Sequence, residues 1–238
     1  MILNRKNLRY IIITILFLGV SSFGEAQELV KANFRISPET ATISTVVFRL
    51  GELDFRIDQQ GEIYFLNKGT KRNTEWSDYT DDEYYDDNSG EETKGKPKVI
   101  GGLKLEYYDR YAGDGIIGKI KSIGATRMEY YDRYAGDEKK GKIKSIGGFR
   151  FDYFDRYAGD EKKGKMKSFG DNRIEYFDRY TSAEKQGKLI SIGAAKIEYH
   201  DKNNAPATRI GKIKSIKGNT PKLYVTIDWK NRMSDFND

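Results

Sequence analysis

The chain of 238 residues contains no cysteine and a single histidine, His200. The absence of cysteine excludes disulfide bonds, thiolate metal sites, cysteine nucleophiles and a lipid-modified cysteine at the start of a mature chain. The sequence also has no Gly-rich phosphate loop, no metal-ligand spacing and no nucleophile motif. We therefore expect no catalytic residue, no metal ion and no cofactor.

Long apolar runs are missing after the first 26 residues. At the N-terminus, three basic residues precede the apolar run "YIIITILFLGV", residues 10–20, which is too short to span a bilayer as a helix. The small residues Gly24 and Ala26 follow, a pattern typical of a secretory signal peptide. We predict a signal peptide at residues 1–26, cut after Ala26, and a secreted or periplasmic protein without an integral membrane span. The alternative is an uncleaved N-terminal anchor.

What the chain does contain is a repeated phrase, "EYYDRYAGDEKKGKIKSIG" at residues 129–147. An acidic residue, a tyrosine, an aromatic residue and an aspartate end at Asp86, Asp109, Asp132, Asp155 and Asp178, a constant step of 23 residues. The motif ends once more at Asp201, where His200 takes the aromatic place, so a structural role for this histidine is favoured over a catalytic one. Internal repeats of this length indicate an array of similar structural units.

The repeats predict one β-repeat domain over residues 27–238. Within it we expect N-terminal strands and a short unit at 27–74, six 23-residue repeats at 75–217, and a C-terminal strand and tail at 218–238. The short unit, Leu53 to Leu66, has the same order of aspartate and glycine, and we interpret it as the parent form of the longer repeats.

Each unit has the pattern of a β-hairpin. Residues alternate from Arg150 to Asp155, with aromatic side chains on both faces, which is typical of a strand. Ile143 and Ile146 of the return strand are three residues apart, so a bulge or a strong local twist is needed to place both on one face. Gly147 and Gly148 indicate a tight turn between units. The sequence therefore predicts an all-β, antiparallel meander of hairpin repeats.

A parallel solenoid is the structural rival. It would stack the repeated aspartates about 4.8 Å apart, whereas a meander separates them by about 10 Å and allows basic columns between them. A sheet of this many strands tends to curl, so we expect a twisted or rolled sheet. Its concave face should be lined by Leu105, Met128, Phe151, Ile174 and Ile197. The tyrosines expected beside them are Tyr107, Tyr130, Tyr153, Tyr176 and Tyr199.

The order Tyr-x-Asp, then Gly-Lys and two spaced aliphatic residues, resembles the YD-repeat family. The matches are "YYD…GKIKSI" at 107–123 and 130–146 and "YFD…GKLISI" at 176–192. The resemblance implies a β-sheet protein of the kind that encloses toxin cargo or lies on bacterial surfaces. This chain departs from the pattern in its inserted loop, its few units and its lack of a toxin domain. It is closer to short secreted repeat proteins of Gram-negative bacteria.

A candidate binding face follows from the outward residues of the repeats. Its aromatic members are Tyr108, Tyr131, Phe154 and Phe177, and its basic members are Arg110, Arg133, Arg156 and Arg179. Aromatic platforms flanked by guanidinium groups suit a glycan or an anionic polymer. The alternative is that these residues only cover the sheet. The acid-rich segment 75–92 lacks calcium-loop order and is interpreted as a solvated loop.

The sequence therefore favours an exported, non-enzymatic structural or binding module at the cell envelope. Its expected partners are an envelope polysaccharide or another envelope protein. Nucleic acid is not expected, because the chain is predicted to be exported and acidic residues are interspersed among its basic ones. The net charge of +6 is a mild excess for a chain that is one-third charged and does not by itself indicate nucleic acid. The alternative function is an envelope enzyme or the accessory domain of one.

Overall fold

The computed structural model describes residues 27–68, 82–203 and 205–228, whose regular secondary structure is almost entirely β-strand. The predicted signal peptide and residues 75–81 of the acid-rich segment lie outside these ranges. The strands are β1 (Leu29–Ile36), β2 (Ile43–Leu50), β3 (Leu53–Asp58), β4 (Ile63–Lys68), β5 (Glu83–Tyr84), β6 (Pro97–Ile100), β7 (Leu103–Tyr107), β8 (Ile120–Ile123), β9 (Thr126–Tyr130), β10 (Ile143–Ile146), β11 (Phe149–Tyr153), β12 (Met166–Phe169), β13 (Asn172–Tyr176), β14 (Leu189–Ile192), β15 (Ala195–Tyr199), β16 (Ile213–Lys217) and β17 (Leu223–Ile227). Short 3₁₀ helices span Arg133–Ala135, Arg156–Ala158 and Ala207–Arg209. Among the described residues, no helix is both long and apolar enough to cross a bilayer.

The strands form two sheets. The long sheet runs from β5 to β16 in strict chain order, and each strand is antiparallel to its neighbours. This arrangement confirms the predicted meander of hairpins and excludes the parallel solenoid. The short sheet has the order β17-β1-β2-β3-β4, in which β17 pairs parallel to β1. That parallel pairing, from Ala32–Leu223 to Ile36–Ile227, joins the two ends of the described chain and was not predicted.

A bulge recurs in the return strand of the hairpins. In β10, Ile143 pairs with Tyr130 and Ser145 pairs with Glu129, so Lys144 is the extra residue. The bulge places both Ile143 and Ile146 in the core with 0% exposure. This confirms the interpretation that the three-residue spacing of the isoleucines requires an irregular strand. Corresponding register shifts occur in the other hairpins of the long sheet.

The connections between units are two-residue turns. Ile146 pairs with Phe149 across Gly147 and Gly148, whose φ angles are 52° and 84°. Two consecutive residues with positive φ are what a type I′ hairpin turn requires, and glycine adopts them without a steric penalty. At this turn the two glycines therefore fix the register at which one unit passes to the next.

The two sheets pack face to face around one aromatic core. The five apolar residues predicted to line the concave face are all buried, as are Tyr130, Tyr153, Tyr176 and Tyr199. Phe48 of the short sheet lies 5.8 Å from Phe151 and 5.1 Å from Phe169, measured between ring centroids. Phe34 also contacts Phe169, at 5.1 Å. The apolar face of the repeats is thus covered by a second sheet made from the N- and C-terminal strands.

Hydrogen bonds fix the two sheets at both ends of the strands. Gln27 N donates to Gly147 O at 2.8 Å beside the turns between units, and Leu189 N donates to Ala41 O at 3.0 Å at the opposite end. The short unit that resembles the repeats forms the β3–β4 hairpin, as its pattern indicates, but it belongs to the covering sheet. The long loops of the repeats lie at one end of the strands of the long sheet, next to the β3–β4 turn.

Candidate binding surface

The four predicted outward aromatic residues are half-buried and face their neighbours. Each ring makes an edge-to-face contact with a tyrosine of the following unit, at centroid distances of 5.9–6.1 Å. The pairs are Tyr108–Tyr130, Tyr131–Tyr153, Phe154–Tyr176 and Phe177–Tyr199. These contacts stabilise one unit against the next.

Hydroxyl groups of the same aromatic set strengthen the contact between units. Tyr108 OH donates to Met128 O at 2.9 Å, and Tyr131 OH donates to Phe151 O at 3.0 Å. Burial, together with the nearby Asp152 carboxylate, raises the pKa of Tyr131 to about 12. The rings and hydroxyls are therefore engaged inside the protein, and this set is better suited to bracing the sheet than to contacting a polymer.

A row of lysines also links each unit to the next. Four of them donate their Nζ to a glycine carbonyl of the next unit, at 2.5–2.6 Å. The same ammonium groups lie 4.9–5.8 Å from the centroids of tyrosine rings, of which Tyr107 is half-buried and the other three are buried. The donors and acceptors are Lys96–Gly118, Lys142–Gly164, Lys165–Gly187 and Lys188–Gly211. Burial lowers the pKa of all four lysines. Lys119 differs, since it forms an ion pair with Glu62 of the covering sheet at 2.5 Å.

The predicted arginines lie on the long loops at the ends of the strands. In each loop the arginine directly precedes an exposed tyrosine. The exposed fractions are 84% for Tyr111, 79% for Tyr134, 88% for Tyr157 and 87% for Tyr180. We call these four arginine–tyrosine pairs, residues 110–111, 133–134, 156–157 and 179–180, the Arg–Tyr row. Sequence patterns did not single out these tyrosines, because they fall in the segment interpreted as an inserted loop.

The aspartate that ends each repeat motif explains why these rings point outward. Asp132 Oδ1 accepts a hydrogen bond from Tyr134 N at 2.9 Å, and the aspartates of the other three loops do the same at 2.9–3.0 Å. An aspartate that bonds the backbone two residues later forms a local turn. An Asp-x-Tyr spacing in these four loops is thus the signal by which the exposed tyrosines could have been found.

Three of the four arginines lie against their own tyrosine. Arg133 Cζ is 4.9 Å from the Tyr134 centroid, and its Nη2 donates to the Tyr134 hydroxyl at 2.8 Å. The corresponding centroid distances are 5.7 Å for Arg110 and 5.5 Å for Arg179. Arg156 instead lies near the preceding loop, where its backbone N donates to Glu138 Oε1 at 2.7 Å. A guanidinium group and an aromatic face are therefore presented together to solvent.

Neighbouring loops also contact one another. Glu138 of loop 132–141 contacts Arg156 of loop 155–164, and Lys140 forms an ion pair with Asp114 of the preceding loop, 109–118. Consecutive units are two strands apart, so the members of the Arg–Tyr row repeat about every 10 Å. The contacts fix the loops relative to each other, and the row is a continuous surface.

His200 has the backbone position of the outward aromatic residues. Its N–H donates to Lys212 O, and its carbonyl accepts from Gly211 N, as Tyr131 does with Lys142 and Gly141. Its Nδ1 is buried and has no hydrogen-bond partner among the described residues. Within that part of the chain, no cluster of three or more His, Asp or Glu side chains is arranged to hold a metal ion.

No family model matches this chain, and neither a curated protein nor a solved structure shows significant similarity to it. The resemblance to YD repeats therefore depends on the quoted sequence motifs.

Proposed function

We propose that this protein is an exported, non-catalytic β-repeat module that binds an extended acidic polysaccharide of the cell envelope along the Arg–Tyr row. The observation that supports it most is the exposure of four equivalent tyrosines, each next to an arginine in the sequence, on the loops at one end of the long sheet's strands. Folding alone does not require these rings to be on the surface. A repeated ligand would contact the same pair of groups in every unit.

The chemistry of the row suits this class of polymer. Aromatic faces offer broad apolar contact to the faces of sugar rings, while their hydroxyl groups stay hydrated. The planar guanidinium group offers a pair of donors that fits a carboxylate. A spacing of about 10 Å between units corresponds to roughly two sugars, so a polyuronate chain would present every second carboxylate to an arginine of the row. The loops are also held in place before binding, so little ordering cost is expected.

The same features support a polysaccharide over a nucleic acid. The loops intersperse acidic residues such as Asp137 and Asp160 among the basic ones, which would repel a densely charged phosphate backbone. The expected signal peptide and the resemblance to YD repeats support a location at the envelope. An envelope enzyme remains the alternative from the sequence, but the described residues offer no grouping that favours it.

The test is retention of the purified protein on an immobilised acidic polysaccharide, polygalacturonate, compared with neutral dextran at low and high salt. We expect retention on polygalacturonate that weakens with salt, because the arginine contacts are screened. A variant with Tyr134→Ala and Tyr157→Ala should lose most of the retention while its melting temperature stays unchanged. The matched control is Tyr108→Phe, which changes a half-buried tyrosine of the bracing set and should retain binding. Equal retention of the double-alanine variant and the natural protein would refute the proposal.

A further inference from the structure

A separate cleft of about 470 Å³ lies between the two sheets, at the end of the strands that carries the long loops. One wall is formed by the β3–β4 turn and by Thr42 and Ile43 of the covering sheet. The other wall comes from the repeat loops 132–141 and 155–164, with Tyr153 and Tyr176 among the lining residues. The cleft contains none of the residues of the Arg–Tyr row, so it is a distinct feature of the fold.

The hydroxyl of Tyr153 lacks the hydrogen bond that two of its equivalents form. Tyr107 OH donates to Pro97 O at 2.8 Å and Tyr199 OH donates to Leu189 O at 2.7 Å, in each case ten residues back along the chain. Tyr153 is 2% exposed, and its hydroxyl has no hydrogen-bond partner among the described residues. An unsatisfied buried hydroxyl is costly and calls for an explanation. Here the residue lines a cleft that could supply the missing partner.

Two lysines add further donors to the same place. Lys142 and Lys165 line the cleft, and each uses one N–H on a glycine carbonyl. An ammonium group has three donors, and neither lysine forms an ion pair within the described part of the chain. Burial lowers the pKa of both, so a negative charge nearby would be favourable to each. Glu138 also lines the cleft, but its carboxylate is already engaged by the backbone N–H and the guanidinium group of Arg156. The inner part of the cleft is therefore rich in donors that have no partner of their own.

The rim has the opposite character. Asp137 and Asp160 line the cleft with their loops, and carboxylates there could accept hydrogen bonds from hydroxyl groups. Asp58, also at the rim, already accepts from Gln60 N and from Tyr64 OH. A ligand that fits both parts would carry an anionic group at one end and hydroxyl groups at the other.

We propose that this cleft binds a small carboxylate-bearing sugar, of the size and chemistry of a uronic acid. Its carboxylate would accept from the Tyr153 hydroxyl and from the ammonium groups of Lys142 and Lys165, and its hydroxyls would face Asp137 and Asp160. The aromatic rings of Tyr153 and Tyr176 line the cleft beside them. This site would act independently of polymer binding on the Arg–Tyr row.

The experiment is isothermal titration of the purified protein with sodium glucuronate, glucose and sodium acetate at constant ionic strength. We expect saturable binding of glucuronate at one site, with glucose and acetate at least about tenfold weaker. Tyr153→Phe should reduce the glucuronate affinity about tenfold without lowering the melting temperature, since the hydroxyl it removes has no partner in the protein. Lys165→Met should also reduce the affinity.

Matched controls come from the same sets of residues outside the cleft. Tyr199→Phe and Lys188→Met change equivalent positions, and both should bind glucuronate as the natural protein does. The variant with Tyr134→Ala and Tyr157→Ala should lose polymer retention but keep glucuronate binding, so failure of one proposal is distinguishable from failure of the other. Absence of glucuronate binding, equal binding of acetate, or full affinity in Tyr153→Phe would each overturn the inference.

Discussion

Two tyrosines at equivalent positions should respond in opposite ways to loss of the hydroxyl group. Tyr199 is buried and donates to Leu189 O at 2.7 Å, so Tyr199→Phe leaves a buried carbonyl without its donor. The expected cost is about 1–3 kcal/mol. For a protein of this size, each kcal/mol lowers the melting temperature by about 2–4 °C, so a decrease of roughly 2–12 °C is expected.

Tyr153→Phe removes a hydroxyl that has no hydrogen-bond partner among the described residues. The ring keeps its edge-to-face contact with Tyr131, so packing is retained. The expected result is an unchanged or higher melting temperature, because an unsatisfied polar group leaves the core. Both variants are compared with the natural protein by circular dichroism during thermal and urea unfolding. Equal destabilisation of the two variants would refute the reasoning and would also remove the basis for the cleft inference.

Three further predictions concern the core, the bulge and the tyrosine pKa values. Phe169→Ala should destabilise the protein by about 3–5 kcal/mol, because this fully buried ring contacts Phe34 and Phe48 across the sheets, and urea unfolding measures the loss. Deletion of Lys144 should prevent folding, because it removes the extra residue of the bulge and shifts the strand by one position, whereas Lys144→Ala should be tolerated; soluble yield and circular dichroism distinguish these outcomes. Stability should fall as the pH rises above about 10, because unfolded tyrosines ionise there while the pKa values of Tyr107 and Tyr131 are raised to about 12 in the folded protein. Unfolding midpoints between pH 8 and pH 11 test the last prediction, and a constant midpoint would contradict it.

Local patterns in the sequence were sufficient to predict the long sheet. The alternation of residues indicated its strands, the glycine pairs indicated its turns, and the spacing of Ile143 and Ile146 indicated a bulge. Each of these features depends on residues only a few positions apart. The second sheet could not be predicted in the same way, because the parallel pairing of β1 and β17 joins segments almost two hundred positions apart. No local pattern predicts which strands cover the apolar face of the long sheet.

The candidate surface was predicted from the residue pattern within one unit. The four arginines were expected on the outward face beside the aromatic residues of the strand alternation, but they lie on the loops, next to tyrosines that the alternation did not single out. Alternation places Tyr131 on the outer face, yet its ring packs against Tyr153 of the next unit and its hydroxyl bonds to Phe151 O. Alternation describes one unit alone, whereas these contacts form only between units.

The tyrosine content of the chain now separates into two parts with different explanations. Rings such as Tyr130 and Tyr131 pack against one another between units or in the core, so the need to stabilise a repeated sheet accounts for them. The rings at 111, 134, 157 and 180 are exposed and contribute little apolar burial. The local turn that orients them needs only the aspartate and a backbone N–H, which any residue except proline supplies. A tyrosine at the same point in each of these loops is therefore unexplained by stability, and contact with a repeated ligand is the function that explains it best.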